Sequence, residues 1–331
     1  METHNMRDPN VFDTLILIAL PASGKSEVRK FMRHGDEAAC IEKYHLGKTL
    51  QLDDFPYVHF MREVDDALEG FGRTRIFYPN NQSGFNEPRD WGALLRLVSQ
   101  DYDLMTDSTV NMPEVTPKFL FERMDKARAA VGAPEVFSQM DPGLVNQLDD
   151  RLAAEAKRLG DELLARRPAD LKGHTVVIEF ARGGPQGASM PLSEPHGYGY
   201  ALQHLSPAIL NNAAILYIWV SPEESRRKNI ARADPNDPGS ILHHSCPESV
   251  MINDYGTCDL GHLLESSSVP GTVEIVSEGQ KFNIPAARFD NRNDLTTFVR
   301  DDENWKEEDM QALENGLAGS LKELWAKYCE A

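Results

Sequence analysis

Thr14-Leu15-Ile16-Leu17-Ile18-Ala19-Leu20-Pro21-Ala22-Ser23-Gly24-Lys25-Ser26 is the stretch that decides how this chain folds. Thr14–Leu20 is an apolar run of β type, and the turn after it closes on Gly24-Lys25-Ser26. A helical pattern begins at once, with Val28, Phe31 and Met32 on one face and Gly35 as its stop. A strand that passes into a helix through so short a turn aims successive backbone N–H groups at one point. The new helix adds its own unpaired N–H groups and its positive dipole end. Pro21, Ala22, Ser23, Gly24, Lys25 and Ser26 are therefore the expected phosphate-binding residues. Lys25 reaches the β/γ-phosphates as a point charge and the Ser26 hydroxyl suits Mg²⁺, so ATP with Mg²⁺ is the expected ligand.

The Walker A pattern is G-x-x-x-x-G-K-[ST], and this chain departs from it once, with Ala19 in the place of the first glycine. Alanine fits there as long as the backbone keeps a negative φ.

Working outward, the strand and helix of the opening motif occupy about 12–34. Residues 47–53 read as a short strand ending at Asp53-Asp54, and Pro56 opens a helix to Leu68. Residues 70–90 read as a long loop. Helical periodicity then covers 90–105, 116–131 and 141–166, the last through Leu144, Leu148, Leu152, Ala156, Leu159 and Leu163. His174–Phe180 and Ala214–Val220 are continuous apolar runs, as in strands buried on both faces. A Gly- and Pro-rich loop at 183–199 leads into a helix ending near Asn211, and a further helix runs from Pro222 to about Ala233. Thr272–Val276 and Phe282–Phe289 read as strands joined at Glu278-Gly279, and a helix from Trp305 to Tyr328 closes the chain. Strands alternating with helices imply an α/β fold with a doubly wound parallel sheet. The expected organisation is a core of 1–84 and 171–300, a helical insertion at 85–170 packed on it, and a C-terminal helix within 301–331.

The 331 residues carry 34 basic and 52 acidic side chains, a net charge of −18, which speaks against a nucleic-acid partner. No apolar run approaches the ~20 residues of a membrane span. Met1-Glu-Thr-His-Asn-Met-Arg7 lacks the layout of a secretory signal, and Cys40, Cys246, Cys258 and Cys329 form no disulfide framework. A cytoplasmic protein with a small-molecule substrate is expected.

Nucleotide chemistry needs a carboxylate near the metal, and Glu179 closes Val176-Val177-Ile178 at the end of a buried strand. Here the chain resembles the P-loop nucleoside and nucleotide kinases. Leu20–Ser26 looks like their phosphate loop, and Ile178-Glu179-Phe180-Ala181-Arg182 looks like their carboxylate-then-arginine strand end. Ala214–Arg232 looks like their next strand and arginine-bearing lid helix. The resemblance implies that Arg226, Arg227 and Arg232 close over the transferring phosphate. It also implies that a carboxylate after the second strand, Asp53 or Asp54, addresses the acceptor hydroxyl. A helix N-cap before Pro56 is the competing role for that pair, and pairing with Glu223 and Glu224 is the competing role for the arginines. His59 and Arg62 are further candidate substrate contacts.

Two other signals carry less. His243, His244, Cys246, Cys258 and His262 lack a zinc-knuckle spacing. Asn291-Arg292-Asn293-Asp294 lacks the lysine of a guanine reader and reads as a polar turn, edging the nucleotide base or structural only. The expected function is an ATP-dependent phosphotransferase. The alternative is a regulatory P-loop NTPase whose insertion binds a protein partner, and it requires an exposed apolar patch on 90–166.

Overall fold

Burial along the strands sets the order of the sheet. In the computed structural model, which describes residues 8–107, 109–231, 245–300 and 304–330, six strands form one sheet. They are β1 (Thr14–Ile18), β2 (Lys48–Asp53), β3 (His174–Phe180), β4 (Ala213–Trp219), β5 (Thr272–Ser277) and β6 (Gln280–Asp290), in the spatial order β2-β3-β1-β4-β6-β5. The apolar runs β1, β3 and β4 are buried on both faces and take the centre. β2 alternates buried Leu50 and Leu52 with more accessible residues and lies at one edge. All neighbouring strands run parallel except β5 and β6. That pair is a hairpin turned by Glu278 and Gly279, both left-handed at φ 51 and 78, which matches the right-handed strand twist.

Among the described residues twelve α-helices accompany the sheet: α1 (Lys25–Met32), α2 (Glu37–Tyr44), α3 (Phe55–Gly70), α4 (Asp90–Thr106), α5 (Pro117–Ala130), α6 (Pro142–Arg166), α7 (Gly197–Leu202), α8 (Pro207–Leu210), α9 (Pro222–Ala231), α10 (Glu248–Asn253), α11 (Leu260–Ser266) and α12 (Glu307–Glu330). Alternate residues of the strands feed two apolar layers. Ile16, Ile18, Val176, Ile178 and Ile215 pack with α3, α4, α5, α6 and α7 on one face. Leu15, Leu17, Val177, Leu216 and Ile218 pack with α1 and α12 on the other. In α12 the stripe is Leu313, Leu317, Leu321 and Leu324, all fully buried. In α6 it is Leu148, Leu152, Ala156 and Leu163, with Leu144 and Leu159 at its margin. The helices of 90–166 thus share one core with the sheet.

Three short helices, α2, α10 and α11, add to those expected from the sequence, and the helix expected to end near Asn211 divides into α7 and α8 at Ser206-Pro207. In α2 only Tyr44 is buried, so no apolar period announces it; Asp36 starts it by accepting the Ala39 N–H. Strand order fixes where a ligand can sit. The chain leaves β1 toward β2 and β3 on one side and crosses to β4 and β6 on the other. The turn after β1 therefore stands over the crevice that open α/β sheets use for ligands.

Candidate functional site

The turn Ala19–Gly24 begins where β1 ends, between the carboxyl ends of β3 and β4. Ala22 and Gly24 are left-handed, at φ 56 and 101, and Ser23 between them is not. Such alternation makes a concavity lined by N–H groups. Ala19, in the position usually held by glycine, keeps a negative φ, so its methyl group costs no backbone strain. The loop carbonyls are tied off alternately by three different elements. Lys25 Nζ donates to Ala19 O across the turn at 3.1 Å. Ser225 Oγ of α9 donates to Pro21 O at 2.6 Å, and Asn291 Nδ2, beyond β6, donates to Ser23 O at 2.8 Å. Ala22 and Ser23 are buried, as is Gly24, yet among the described residues nothing accepts their N–H groups. N–H groups in buried surroundings normally have partners, and adjacent ones left open at a helix start are a donor set that suits an anion.

Gly24 is fixed by two independent constraints. Its φ of 101 disfavours any side chain, and a Cβ there would lie 2.5 Å from Thr296 Oγ1 and 2.9 Å from Asn291 Nδ2. Gly24→Ala is expected to cost about 2–4 kcal/mol of stability, measured by urea unfolding, because neither backbone nor buried neighbours can yield freely.

The carboxylates divide by environment. Glu179 is buried at the end of β3 and pairs with Arg29 of α1, one turn beyond Ser26. Asp53 lies opposite Glu179 in the β2–β3 ladder. Its Oδ1 accepts the Phe55 N–H at 2.9 Å and its Oδ2 faces Gln51 Nε2 at 3.4 Å, so Asp53 takes the capping role at the start of α3. Asp54 makes no such bond. It is buried and pairs with Arg182 Nη1 at 2.7 Å. Arg182 also donates to Trp91 O at 2.9 Å and lies 4.7 Å from the Trp91 ring centre. Trp91 in turn packs on the cluster of Leu20, Val250, Met251 and Tyr255, which joins this wall to the phosphate loop.

Burial, with Asp54 and Glu179 nearby, pushes the Asp53 carboxyl up to about 7. The folded chain then holds a proton that the unfolded chain has released from about pH 4 upward. Ionising Asp53 opposes folding, and stability falls as the pH rises through that window. Asp53→Asn is expected to unfold at higher urea than the parent at about pH 8 and to lose that advantage near pH 4.5.

Arg226 pairs with Glu223 at 3.3 Å, and Arg227 pairs with Glu224 at 2.6 Å and Asp294 at 3.4 Å. Both lid candidates are thus engaged on α9 itself or at its flank. Arg232, His243 and His244 lie outside the described residues. His59 lies within ion-pair distance of Glu155 and Glu63, and Arg62 donates to Asn81 O. Cys258 is half-buried against the Tyr217 hydroxyl, with its thiol pushed up to about 11 by desolvation, and among the described residues no three ligand side chains gather for a metal. Large apolar side chains exposed among the described residues of 90–166 are Val110 and Leu164, which form no continuous patch in sequence. No helix of the described residues is long and apolar enough to cross a membrane.

Sequence reading missed Ser225 and Thr296 and left Asn291 as part of a turn. Asn291 joins Ser23 O, Thr296 Oγ1 and the Leu295 N–H, so the turn after β6 buttresses the phosphate loop. The polar turn immediately after a strand was the available signal. Neither a protein-family model nor a curated protein matches this chain.

Proposed function

We propose that the protein is an ATP-dependent phosphotransferase of P-loop kinase type, with a doubly wound core, acting on a small metabolite such as a nucleoside, a nucleotide or another hydroxyl compound. The observation that carries this reading is the turn at 22–24, whose residues are buried and whose N–H groups have no acceptor among the described residues while the neighbouring carbonyls are tied back. That division of donors and acceptors suits the oxygens of a phosphate chain and little else.

In this reading the N–H groups of 22–26 hold the donor phosphates and the Lys25 ammonium neutralises charge on the transferring group. Ser26 and Glu179 are the residues that would hold Mg²⁺, which when bound spreads charge from the phosphate oxygens. The Arg29 guanidinium shares Glu179 and orients that carboxylate. Asp54 orients the acceptor hydroxyl and receives its proton. It is favoured over Asp53 because Asp53 is engaged by the start of α3, whereas Asp54 faces the wall that reaches Leu20. Arg226 and Arg227 move from their glutamates to the transferring phosphate, and α9 is held near it by Ser225. Catalysis is chiefly positioning and charge stabilisation. The acidic surface suits a cytoplasmic enzyme that does not act on nucleic acid. Following ADP release from ATP across a panel of hydroxyl-bearing metabolites tests the reading. Release that depends on an acceptor supports it; release at the same rate without any acceptor contradicts it.

A further inference from the structure

Side-chain contacts run in an arc from Asp54 through Arg182 to Arg62, and the backbone of α3 joins its two ends. Arg182 bridges Asp54 to Trp91, Trp91 meets Phe85 edge-on with centroids 4.8 Å apart, and Phe85 stacks on Tyr78 at 4.6 Å. The Arg62 guanidinium stands 5.0 Å from the Tyr78 ring centre, and Arg62 lies two helical turns after Asp54 on α3. Asp54, Tyr78 and Arg182 are buried while Arg62, Phe85 and Trp91 are partly accessible, so the arc has a floor and a rim.

Four buried polar atoms on it have no hydrogen-bond partner among the described residues: the Asp54 Oδ2 acceptor, which faces Arg182 as an ion pair, and three others, Arg62 Nε, Arg182 Nε and the Tyr78 hydroxyl. These last three can donate. Among the described residues no carboxylate pairs with Arg62, whose Nη1 donates to Asn81 O, in a chain of net charge −18. The nearest acidic alternatives are engaged elsewhere. Asp65 accepts the N–H groups of Ile76, Phe77 and Tyr78, and Asp90 pairs with Arg128. Two guanidiniums against a single carboxylate leave one positive charge uncompensated, and leaving buried donors unsatisfied is costly.

We infer that this arc binds an oxyanion carried by the acceptor, a phosphate monoester or a carboxylate, with Arg62, Arg182 and the Tyr78 hydroxyl as donors. The inference rests on the reading of Asp54 as the acceptor-side carboxylate, and it narrows the acceptor to a molecule with both a hydroxyl and an anionic group. The partly exposed Phe85 and Trp91 faces flank it with apolar surface.

The test uses the full chain carrying Lys25→Ala, which disables the phosphate loop, titrated calorimetrically with inorganic phosphate and separately with acetate at matched ionic strength. Phosphate is expected to bind still. Arg62→Gln and Tyr78→Phe, each added to that background, are expected to weaken it about tenfold or more. Tyr78→Phe removes only an unpartnered hydroxyl, so it should leave the unfolding midpoint unchanged or raised, which separates loss of binding from loss of fold. Uptake of phosphate alone assigns a phosphomonoester, and uptake of both anions assigns the wider oxyanion class. No phosphate binding in the Lys25→Ala protein, or binding indifferent to both added variants, overturns the inference. Failure of the phosphate-loop reading would show instead as triphosphate binding indifferent to Lys25→Ala.

Discussion

Lys25→Ala is expected to weaken ATP binding at least about thirtyfold and to abolish turnover while leaving the chain folded. The ammonium is the positive side chain inside the turn, and it joins the last loop residue to the first through Ala19 O. Removing it takes away a charge-assisted contact to the phosphates, a loss of about 2–5 kcal/mol. Binding falls by the corresponding factor. Turnover falls further, because charge that accumulates on the transferring group is what such a donor stabilises. Stability should drop by no more than about 1 kcal/mol, the net worth of one hydrogen bond at a partly accessible site. Equilibrium titration with ATP and Mg²⁺, alongside urea unfolding, separates the two effects.

Asp54→Asn is expected to lower turnover by about 10²–10⁴-fold and leave the ATP dissociation constant unchanged, the range associated with losing a positioned acid–base group. Asn keeps the shape of the side chain and an oxygen for Arg182, so the contacts around Arg182 should persist. Losing the carboxylate still strands a buried guanidinium, and stability should fall; removing one partner of a buried pair costs up to about 3–5 kcal/mol. Asp53→Asn is the matched control, since an amide oxygen still accepts the Phe55 N–H and turnover should stay within a few fold. Steady-state ADP release with the responsive acceptor, run for both variants at the same pH, checks this. Equal losses in the two would place the acceptor between the adjacent carboxylates and not at Asp54.

Much of the fold was legible because its central strands are buried on both faces. Runs such as Leu15–Ile18 and Val176–Ile178 are apolar throughout, and that is visible locally. The stripe of α6 and the left-handed turn at Glu278-Gly279 were legible for the same reason, since periodicity and turn chemistry act over a few residues. Strand order was not legible, because β2 pairs with β3 across the helices of 90–166. Nor were α10 and α11, short helices with too few turns to display a period.

The site divides in the same way. The turn proposed to hold phosphate is contiguous, whereas its supports come from Ser225 and Asn291, about two hundred residues or more away, with no local mark of their purpose. Asp53 and Asp54 were indistinguishable in sequence. Their roles separate only when α3 presents an N–H group to one and Arg182 presents a guanidinium to the other.

The most direct measurement of the central claim is the response of backbone amides to ATP with Mg²⁺, followed by amide NMR or hydrogen exchange across the whole chain. The N–H groups of Ala22, Ser23, Gly24, Lys25 and Ser26 are expected to shift together and gain protection at the dissociation constant found by titration. Saturation with nucleotide that leaves those five amides unmoved would contradict it.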